Sequence, residues 1–284
     1  HGAAAAAGQP EPGAAAGSIP GDGQAGGLNE HYRTVYITGQ GVYVQIRDNH
    51  IECRKGEHIL RRVALHRVNR VVYMATGSFS SGFFASCINR RIPIVYYSGK
   101  GKGYAVLIPE GNINSLRLRA QFDLRSDPLR RTAVARSILQ AKCDAMIHRI
   151  GSLSVCRENV QAIREFRERM NDAREIPSLI GLEGAASQEY FRVFRTRILN
   201  PDFEFFKRTK RPPMDPINSL MSFVYALLFS EFETCLIVHG LDPHPGFLHE
   251  LHRAHAALAS DLMEPYRALV ADPLILRLIN QGTV

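Results

Sequence analysis

Residues 34–54 have the sequence TVYITGQGVYVQIRDNHIECR, which contains three short runs rich in valine, isoleucine and tyrosine. Gly39-Gln40-Gly41 and Asp48-Asn49 separate these runs, and residues of such types are typical of hairpin turns. One helix is expected further on, between Ser80 and Asn89. Other runs of the same β-branched kind lie at Ile59–Val63, Val68–Tyr73, Ile92–Tyr97 and Tyr104–Ile108. The pattern predicts a β-rich N-terminal domain over residues 29–112.

The segment before these strands has a different composition. Residues 1–28 contain nine Ala, eight Gly and three Pro. So few large apolar side chains cannot offset the entropy cost of ordering a chain, which predicts a disordered linker or tail. Because the sequence begins at His1 rather than Met, we also expect that a further segment preceded it.

Beyond residue 112 the apolar residues recur at intervals of three and four, which is the period of a helix. A strong helix is expected to begin after Asp215 and Pro216, a side-chain cap and a first-turn proline, and to end before Gly240. Helical periodicity also covers residues 124–150, 160–171, 178–199 and 248–280. The predicted fold class is α+β, a small β-rich domain followed by a larger all-α domain over residues 113–284.

The charge of the chain bears on its partner. Lys and Arg number 35 against 27 Asp and Glu, a formal net charge of +8. This excess favours a polyanionic partner, because neutralised phosphates release condensed counterions. A solvated basic surface with no such partner explains the charge alone equally well.

The cysteines and the apolar stretches indicate the cellular compartment of the protein. Five dispersed cysteines with no CxxC pair predict reduced thiols of a cytoplasmic protein rather than disulfides or a zinc site. The longest apolar stretch, residues 217–229, is interrupted by Asn218, Ser219 and Ser222, so no membrane span is predicted.

Four blocks in the helical region contain side chains that could do chemistry. The first, GLEGAA at residues 181–186, places Glu183 between two glycines, where backbones could approach closely and a ligand could enter. An acid stabilised by the start of a helix is the alternative explanation. The second block is KRTKR at residues 207–211, followed by PPMDPIN. It predicts a phosphate-binding loop, although most charged runs are only solvated surface.

The third block, GLDPHPGFLHE at residues 240–250, places His249 near the start of the last predicted helix. A single histidine there is more often a cap or a packed side chain than a metal ligand. In the fourth, DLMEPYR at residues 261–267, Asp261 and Glu264 share a helix face, where their repulsion needs a cation. Pro265 is expected to end or kink the helix at Glu264. One continuous helix would separate His249 from Glu264 by about 22 Å, so the chain must turn for them to share a metal.

The order of the blocks is specific to one family. GLEGAAxxxYF, RPPMDPINSLMSF, GLDPxxGFLHE and DLMEPYR follow one another at spacings that resemble the universal CRISPR adaptation nuclease and integrase, Cas one. The resemblance runs from about Thr34 to Asn280 and is strongest over residues 181–267. It implies a metal-dependent DNA endonuclease and integrase that joins the 3′-OH ends of foreign DNA fragments into a CRISPR repeat during spacer acquisition.

The same resemblance implies roles for individual residues. The metal ligands fall on Glu183, His249 and Glu264, and Asp261 falls on a second acid that assists them, so these four are the expected catalytic residues. Two carboxylates and one imidazole suit Mg²⁺ or Mn²⁺. The basic residues expected to hold DNA are Lys207, Arg208, Lys210, Arg211, Arg192 and Arg195. The sequence RAHAAL at residues 253–258 is more helix-prone than the family pattern, which leaves the path from His249 to Asp261 open.

The resemblance also implies partners. The expected ones are double-stranded DNA, a second copy of the chain in a homodimer, and a small ferredoxin-like protein, Cas two. The Ala/Gly-rich start is consistent with fusion to, or association with, an upstream adaptation nuclease, Cas four. No membrane partner is expected.

Two other functions remain open from the residues alone. A non-catalytic nucleic-acid-binding protein would explain the charge without requiring any acid and histidine to converge. A zinc hydrolase is suggested by His249, His252 and His255 at three-residue steps. However, the segment does not match the metalloprotease motif HExxH, because Arg253 occupies the position of the second histidine.

Overall fold

The computed structural model describes residues 33–97, 103–108, 114–151, 156–209, 212–251 and 255–284. The predicted linker at residues 1–28, and Lys210 and Arg211 of the basic loop, lie outside these ranges. Within them a β-rich N-terminal region precedes a helical region, which confirms the predicted α+β class.

The strands of the N-terminal region are β1 (Arg33–Ile37), β2 (Gln40–Arg47), β3 (His50–Lys55), β4 (His58–Ala64), β5 (Val68–Tyr73), β6 (Thr76–Phe79), β7 (Ile94–Tyr97) and β8 (Gly103–Leu107). They form two four-stranded sheets. The first has the order β1-β5-β7-β8, with β8 antiparallel to an otherwise parallel set. The second has the order β4-β3-β2-β6, with β6 parallel to β2 and the other pairs antiparallel.

One of the two predicted turns is a hairpin and the other is not. Asp48 and Asn49 join β2 to β3 with φ of 49° and 60°, the positive values that a two-residue hairpin turn requires. The hairpin prediction for Gly39-Gln40-Gly41 is wrong, because β1 and β2 belong to different sheets. Gly39 and Gly41 have φ of 103° and 69°, and these glycines redirect the chain from the first sheet to the second. Strand β6 was not predicted, because its sequence TGSF has few apolar residues.

The predicted helix in the β-rich region is confirmed as α1 (Ser81–Asn89). The hydroxyl of Ser80 caps it by accepting a hydrogen bond from the backbone N–H of Phe83 at 3.1 Å. Phe83 and Cys87 of this helix are fully buried against strand residues such as Val44 and Val71. The sheets and the helix thus enclose one apolar core.

The helical region contains α2 (Ser115–Ser126), α3 (Pro128–Ile150), α4 (Arg157–Arg169), α5 (Ile176–Thr196), α6 (Pro216–Val238), α7 (Ala257–Tyr266), a π-helical turn (Arg267–Ala271) and α8 (Asp272–Asn280). The single helix predicted over residues 124–150 is two helices. They are separated at Asp127, whose extended backbone follows from the proline after it and whose carboxylate caps α3.

Helix α6 has the predicted ends. Asp215 accepts a hydrogen bond from the backbone N–H of Asn218 at 2.7 Å, Pro216 opens the first turn, and Gly240 has a φ of 70°. By length and mean hydropathy, 1.6, α6 is the one helix in the described ranges that could cross a membrane. Its Asn218 is fully buried and hydrogen-bonded and its Tyr225 bonds to α8, while 28% of its apolar window is buried.

The last helical region begins later than predicted. Residues 241–251, 255 and 256 are irregular, and α7 starts at Ala257 rather than near Leu248. Pro265 was expected to end or kink the helix at Glu264, and the first alternative is wrong, since α7 continues through Pro265 to Tyr266. Proline cannot donate the backbone hydrogen bond of that turn, and the widened π-helical turn follows directly.

Among the described residues, two polar contacts join the β-rich and helical regions. Arg70 of β5 donates to Glu231 of α6 at 2.6 Å, and the hydroxyl of Tyr97 lies 3.4 Å from that of Thr234. The first sheet therefore rests against α6. All five cysteines are free thiols, as predicted.

Candidate active site

Helices α3, α5 and α7 pack together, and each contributes one charged side chain to a common point. The ammonium of Lys142 on α3 donates a hydrogen bond to Oε1 of Glu183 on α5 and another, at 2.6 Å, to Oε2 of Glu264 on α7. Lys142 lies on the buried face of α3 that also carries Leu139 and Met146. The packing of that face therefore determines where the ammonium is placed.

The charges at this point stabilise one another. Burial raises the pKa of Glu264, but the charges of Lys142 and Arg267 outweigh burial and lower this pKa to about 2. Burial likewise lowers the pKa of Lys142, but the charges of Glu264 and Glu183 reverse the effect, so its pKa is raised overall. Lys142 and Glu264 are therefore both ionised at neutral pH. The opposite charges and the hydrogen bond between them offset the cost of burying the two groups.

Glu183 is more exposed than Glu264, and its surroundings are open. The hydroxyl of Ser187, one helical turn later, donates to its Oε1 at 2.6 Å. A Cβ built on Gly181 or Gly184 would meet no atom within 4 Å. The expectation of a close backbone approach at these glycines is therefore wrong, and they leave the approach to the carboxylate free instead.

His249 lies on the irregular segment before α7, which supplies the turn that the prediction required. The fully buried carboxylate of Asp261 accepts hydrogen bonds from the backbone N–H groups of Phe247, Leu248 and His249 at 2.6, 2.9 and 3.1 Å. Its Oδ1 also lies 2.6 Å from Nδ1 of His249. Asp261 thus fixes both the loop and the imidazole, which leaves Nε2 as the ring nitrogen for a ligand.

The loop can approach Asp261 so closely because residue 246 is glycine. A Cβ there would lie 2.8 Å from the Cβ of Ala257 and 3.0 Å from Oδ2 of Asp261. The charge of His249 also contributes to the lowered pKa of Glu264, after Lys142 and Arg267. His249 is therefore an electrostatic neighbour of Glu264.

A cavity of about 560 Å³ opens beside these residues and is lined by Lys142, Glu183 and Glu264. Basic side chains surround it. Four of the six residues predicted to bind DNA line the cavity, Arg192, Arg195, Lys207 and Arg208. The cavity thus combines two glutamates, paired with Lys142, with several further basic side chains.

The sequence comparison decides the family. Residues 35–284 match the family model described as CRISPR associated protein Cas1. This chain belongs to the Cas1 family. The CRISPR-associated endonuclease Cas1 3 of Thermus thermophilus is 33% identical over 234 residues, which cover 81% of this chain and 69% of that protein.

Other relatives in the Cas1 family are longer than this chain. A CRISPR-associated exonuclease Cas4/endonuclease Cas1 fusion from Geobacter sulfurreducens is 29% identical over 282 residues, covering 94% of this chain. The matched part is 49% of the fusion, so this chain spans about half of that relative. A chain of a partial Cas6-RT-Cas1–Cas2 complex shares the fold with a TM-score of 0.70, at 24% identity and coverage of 89% of this chain and 77% of its own.

The donor atoms of this site determine which metal ion it could hold. Two carboxylates converge on one cationic nitrogen, and an imidazole nearby is oriented by a carboxylate, a donor set that suits Mg²⁺ or Mn²⁺. Among the residues that the structure describes, no three acidic, histidine or cysteine groups form a ready metal site. The types of donor fit a divalent metal, whereas in this arrangement Lys142 is the cation that the two glutamates share.

The zinc alternative finds little support in the described ranges. His252 lies outside them. Nε2 of His255 lies 3.0 Å from the hydroxyl of Ser260, and its ring stacks on Phe229 with the centroids 5.6 Å apart. His255 is thus engaged away from His249, and no zinc-type cluster occurs among the residues described.

Lys142 and Arg267 were not among the site residues predicted from the sequence. Arg267 lies 2.9 Å from Oε1 of Glu264 as its ion-pair partner. A signal for Lys142 was present, because it continues the buried series of α3 that includes Ala135, Leu139 and Met146. A lysine at a core position of a helix indicates a buried acid elsewhere in the fold.

Proposed function

We propose that this Cas1 protein is a divalent-metal-dependent DNA endonuclease and integrase that joins the 3′-OH ends of foreign DNA fragments into a CRISPR repeat. Membership of the family and the endonuclease named in the Thermus thermophilus relative support this activity. The observation that carries it is the convergence of Glu183 and Glu264 on one cation, at the wall of a cavity lined by further basic side chains.

Glu183, Glu264 and Nε2 of His249 would hold the metal, with Asp261 orienting the histidine. A bound Mg²⁺ or Mn²⁺ would supply Lewis-acid polarisation of a phosphate oxygen and stabilise the charge that develops there. Lys142 and Arg267 keep Glu264 ionised, so that a carboxylate rather than a carboxylic acid faces the cavity.

The basic side chains would position the DNA. Arg192, Arg195, Lys207 and Arg208 line the cavity and would contact strand phosphates. Lys210 and Arg211 belong to the same proposed DNA-binding loop. In strand transfer the 3′-hydroxyl oxygen attacks phosphorus, the bond from phosphorus to the displaced strand's 3′-oxygen breaks, and that oxygen takes up a proton. In the nuclease reaction water replaces the 3′-hydroxyl.

The proposed partners follow from family membership. They are double-stranded DNA, a second copy of this chain in a homodimer, and a small ferredoxin-like Cas2 protein. The fold that this chain shares with part of a Cas1–Cas2 assembly supports the last. The Geobacter sulfurreducens fusion supports Cas4 as a fused or associated nuclease.

The test is a strand-transfer assay with a short duplex and a plasmid carrying a repeat, with Mn²⁺, Mg²⁺ or EDTA. We expect joining in either metal and none in EDTA, and loss of joining in Glu183→Gln and His249→Ala. Glu165→Gln is the matched control, because Glu165 is an exposed glutamate of α4 that bonds to Gln161. DNA binding that persists in EDTA, with no cleavage or joining in any metal, would establish the non-catalytic alternative instead.

A further inference from the structure

Tyr225 of α6 organises a second set of charges in the wall of the same cavity. The guanidinium carbon of Arg267 lies 4.8 Å from the centre of its ring, and that of Arg208 lies 5.4 Å from it. The hydroxyl of Tyr225 donates to Oδ1 of Asp272 at 2.5 Å, and the hydroxyl of Tyr190 donates to Oδ2 at 2.9 Å. Because the hydroxyl anchors the ring, the ring fixes the place of both guanidinium groups.

Among the residues that the structure describes, Arg208 forms no ion pair with a carboxylate. The hydrogen-bond acceptors found for Arg208 are uncharged: the side chains of Asn218 and Ser222, and backbone carbonyls of Thr209 and Asn218. Burial and the nearby charge of Arg267 lower the pKa of Arg208. Arg267 faces the carboxylate of Glu264, which Lys142 already engages.

The buried acid Asp272 interacts electrostatically with both guanidinium groups, but its hydrogen bonds come from tyrosines. Asp272 is 1% exposed, and burial raises its pKa to about 6 despite the hydrogen bonds from Tyr225 and Tyr190. Its two oxygens accept from those tyrosines rather than from the guanidinium groups. In the part of the chain that the structure describes, Nε of Arg208 and Nε of Arg267 are buried without a hydrogen-bond partner.

We propose that Arg208 and Arg267, held against Tyr225, form a seat for one backbone phosphate of the foreign DNA fragment that is to be joined. Both residues line the cavity that contains Glu183 and Glu264. Arg208 has no carboxylate partner, and both groups have an Nε–H without an acceptor, so a phosphodiester would supply an anionic acceptor that the protein does not. The inference rests on the proposed function in one respect, that the anion is DNA.

The seat predicts an effect at one position of the DNA, which a general basic surface does not. Replacing each phosphate in turn by an uncharged methylphosphonate, in duplexes with 3′ overhangs, removes one charge at a time. Binding is measured in EDTA, so the result does not depend on metal or on joining. Duplexes with and without a 5′-terminal phosphate distinguish an internal phosphodiester from a chain end.

For the wild type we expect one internal methylphosphonate to weaken binding about tenfold, the scale of losing hydrogen bonds to a charged group. In Arg208→Gln, a methylphosphonate at the same position should weaken binding no further. The slope of the salt dependence of binding should also fall by the equivalent of about one phosphate contact. Arg208→Lys keeps the charge without the fork and should recover only part of the effect. Arg277→Gln, on an exposed arginine of α8 that contacts only Gln281, should leave the scan unchanged.

Equal losses at every phosphate, or a scan that Arg208→Gln leaves unaltered, would overturn the seat. A larger effect at the 5′-terminal phosphate would overturn the assignment to a backbone phosphodiester. If Arg208→Gln does not fold, Tyr225→Phe supplies the same test, because it removes only the hydroxyl that anchors the ring and should reduce the effect at that one position. A protein that shows the coupled phosphate but no strand transfer would retain the seat and refute the proposed function.

Discussion

Replacing Lys142 with methionine tests whether its ammonium holds the two glutamates together. Methionine keeps a similar length and removes the charge, so Glu264 would remain buried with Arg267 as its cation. The lowering of the Glu264 pKa from 4.5 to about 2 corresponds to about 3 kcal/mol in favour of the carboxylate. Lys142 is the larger source of that interaction, and removing one partner of a buried pair costs roughly 3–5 kcal/mol. We expect the free energy of unfolding in EDTA to fall by about 3 kcal/mol.

The assay is urea unfolding at pH 7.5, in EDTA and then in Mn²⁺. Because Lys142 and a divalent cation would share the same carboxylates, Mn²⁺ should stabilise Lys142→Met more than the wild type. The double variant Lys142→Met/Glu264→Gln is the matched control. It removes both charges, so it should regain stability in EDTA and lose the extra effect of Mn²⁺. A single variant as stable as the wild type in EDTA, or an equal effect of Mn²⁺ on both, would refute this reasoning.

Two further predictions concern the acids around the site. Asp261→Asn should weaken Mn²⁺ binding by about 10- to 100-fold, because Asp261 orients His249 and its loop. Isothermal titration checks this, and unchanged affinity would contradict it. Asp272 has a pKa raised from 3.8 to about 6, so its protonated form favours the folded state. That contribution is complete below pH 3.8 and is lost as the pH rises through 6. Relative to Asp272→Asn, the wild type should therefore lose about 3 kcal/mol between pH 4 and 7.5, measured by urea unfolding. A constant difference between the two proteins would be inconsistent with this.

The features that the sequence predicted correctly depend on neighbouring residues. Asp48-Asn49 forms a hairpin because adjacent residues of these types adopt positive φ readily, and α6 begins at its own cap and proline. The break at Asp127 followed from the proline after it and could have been predicted by the same reasoning.

The features that were missed depend on contacts between distant parts of the chain. The loop that carries His249 is irregular because Asp261, twelve residues later, binds its backbone N–H groups. Lys142 meets Glu264 across 122 residues, and only the packing of α3 against α7 brings them together. Local periodicity contains no information about such pairs, so the resemblance to a family indicated the acids while the cation between them required the structure.

The most direct test of the central claim is the binding of Mn²⁺ to the purified protein by isothermal titration, together with four variants. We predict one site per chain, weakened at least about tenfold in Glu183→Gln, His249→Ala and Glu264→Gln, because each removes a ligand. Binding to Glu165→Gln should equal that of the wild type. Unchanged Mn²⁺ affinity in the three ligand variants, with their folds intact, would contradict the claim that these side chains hold the metal.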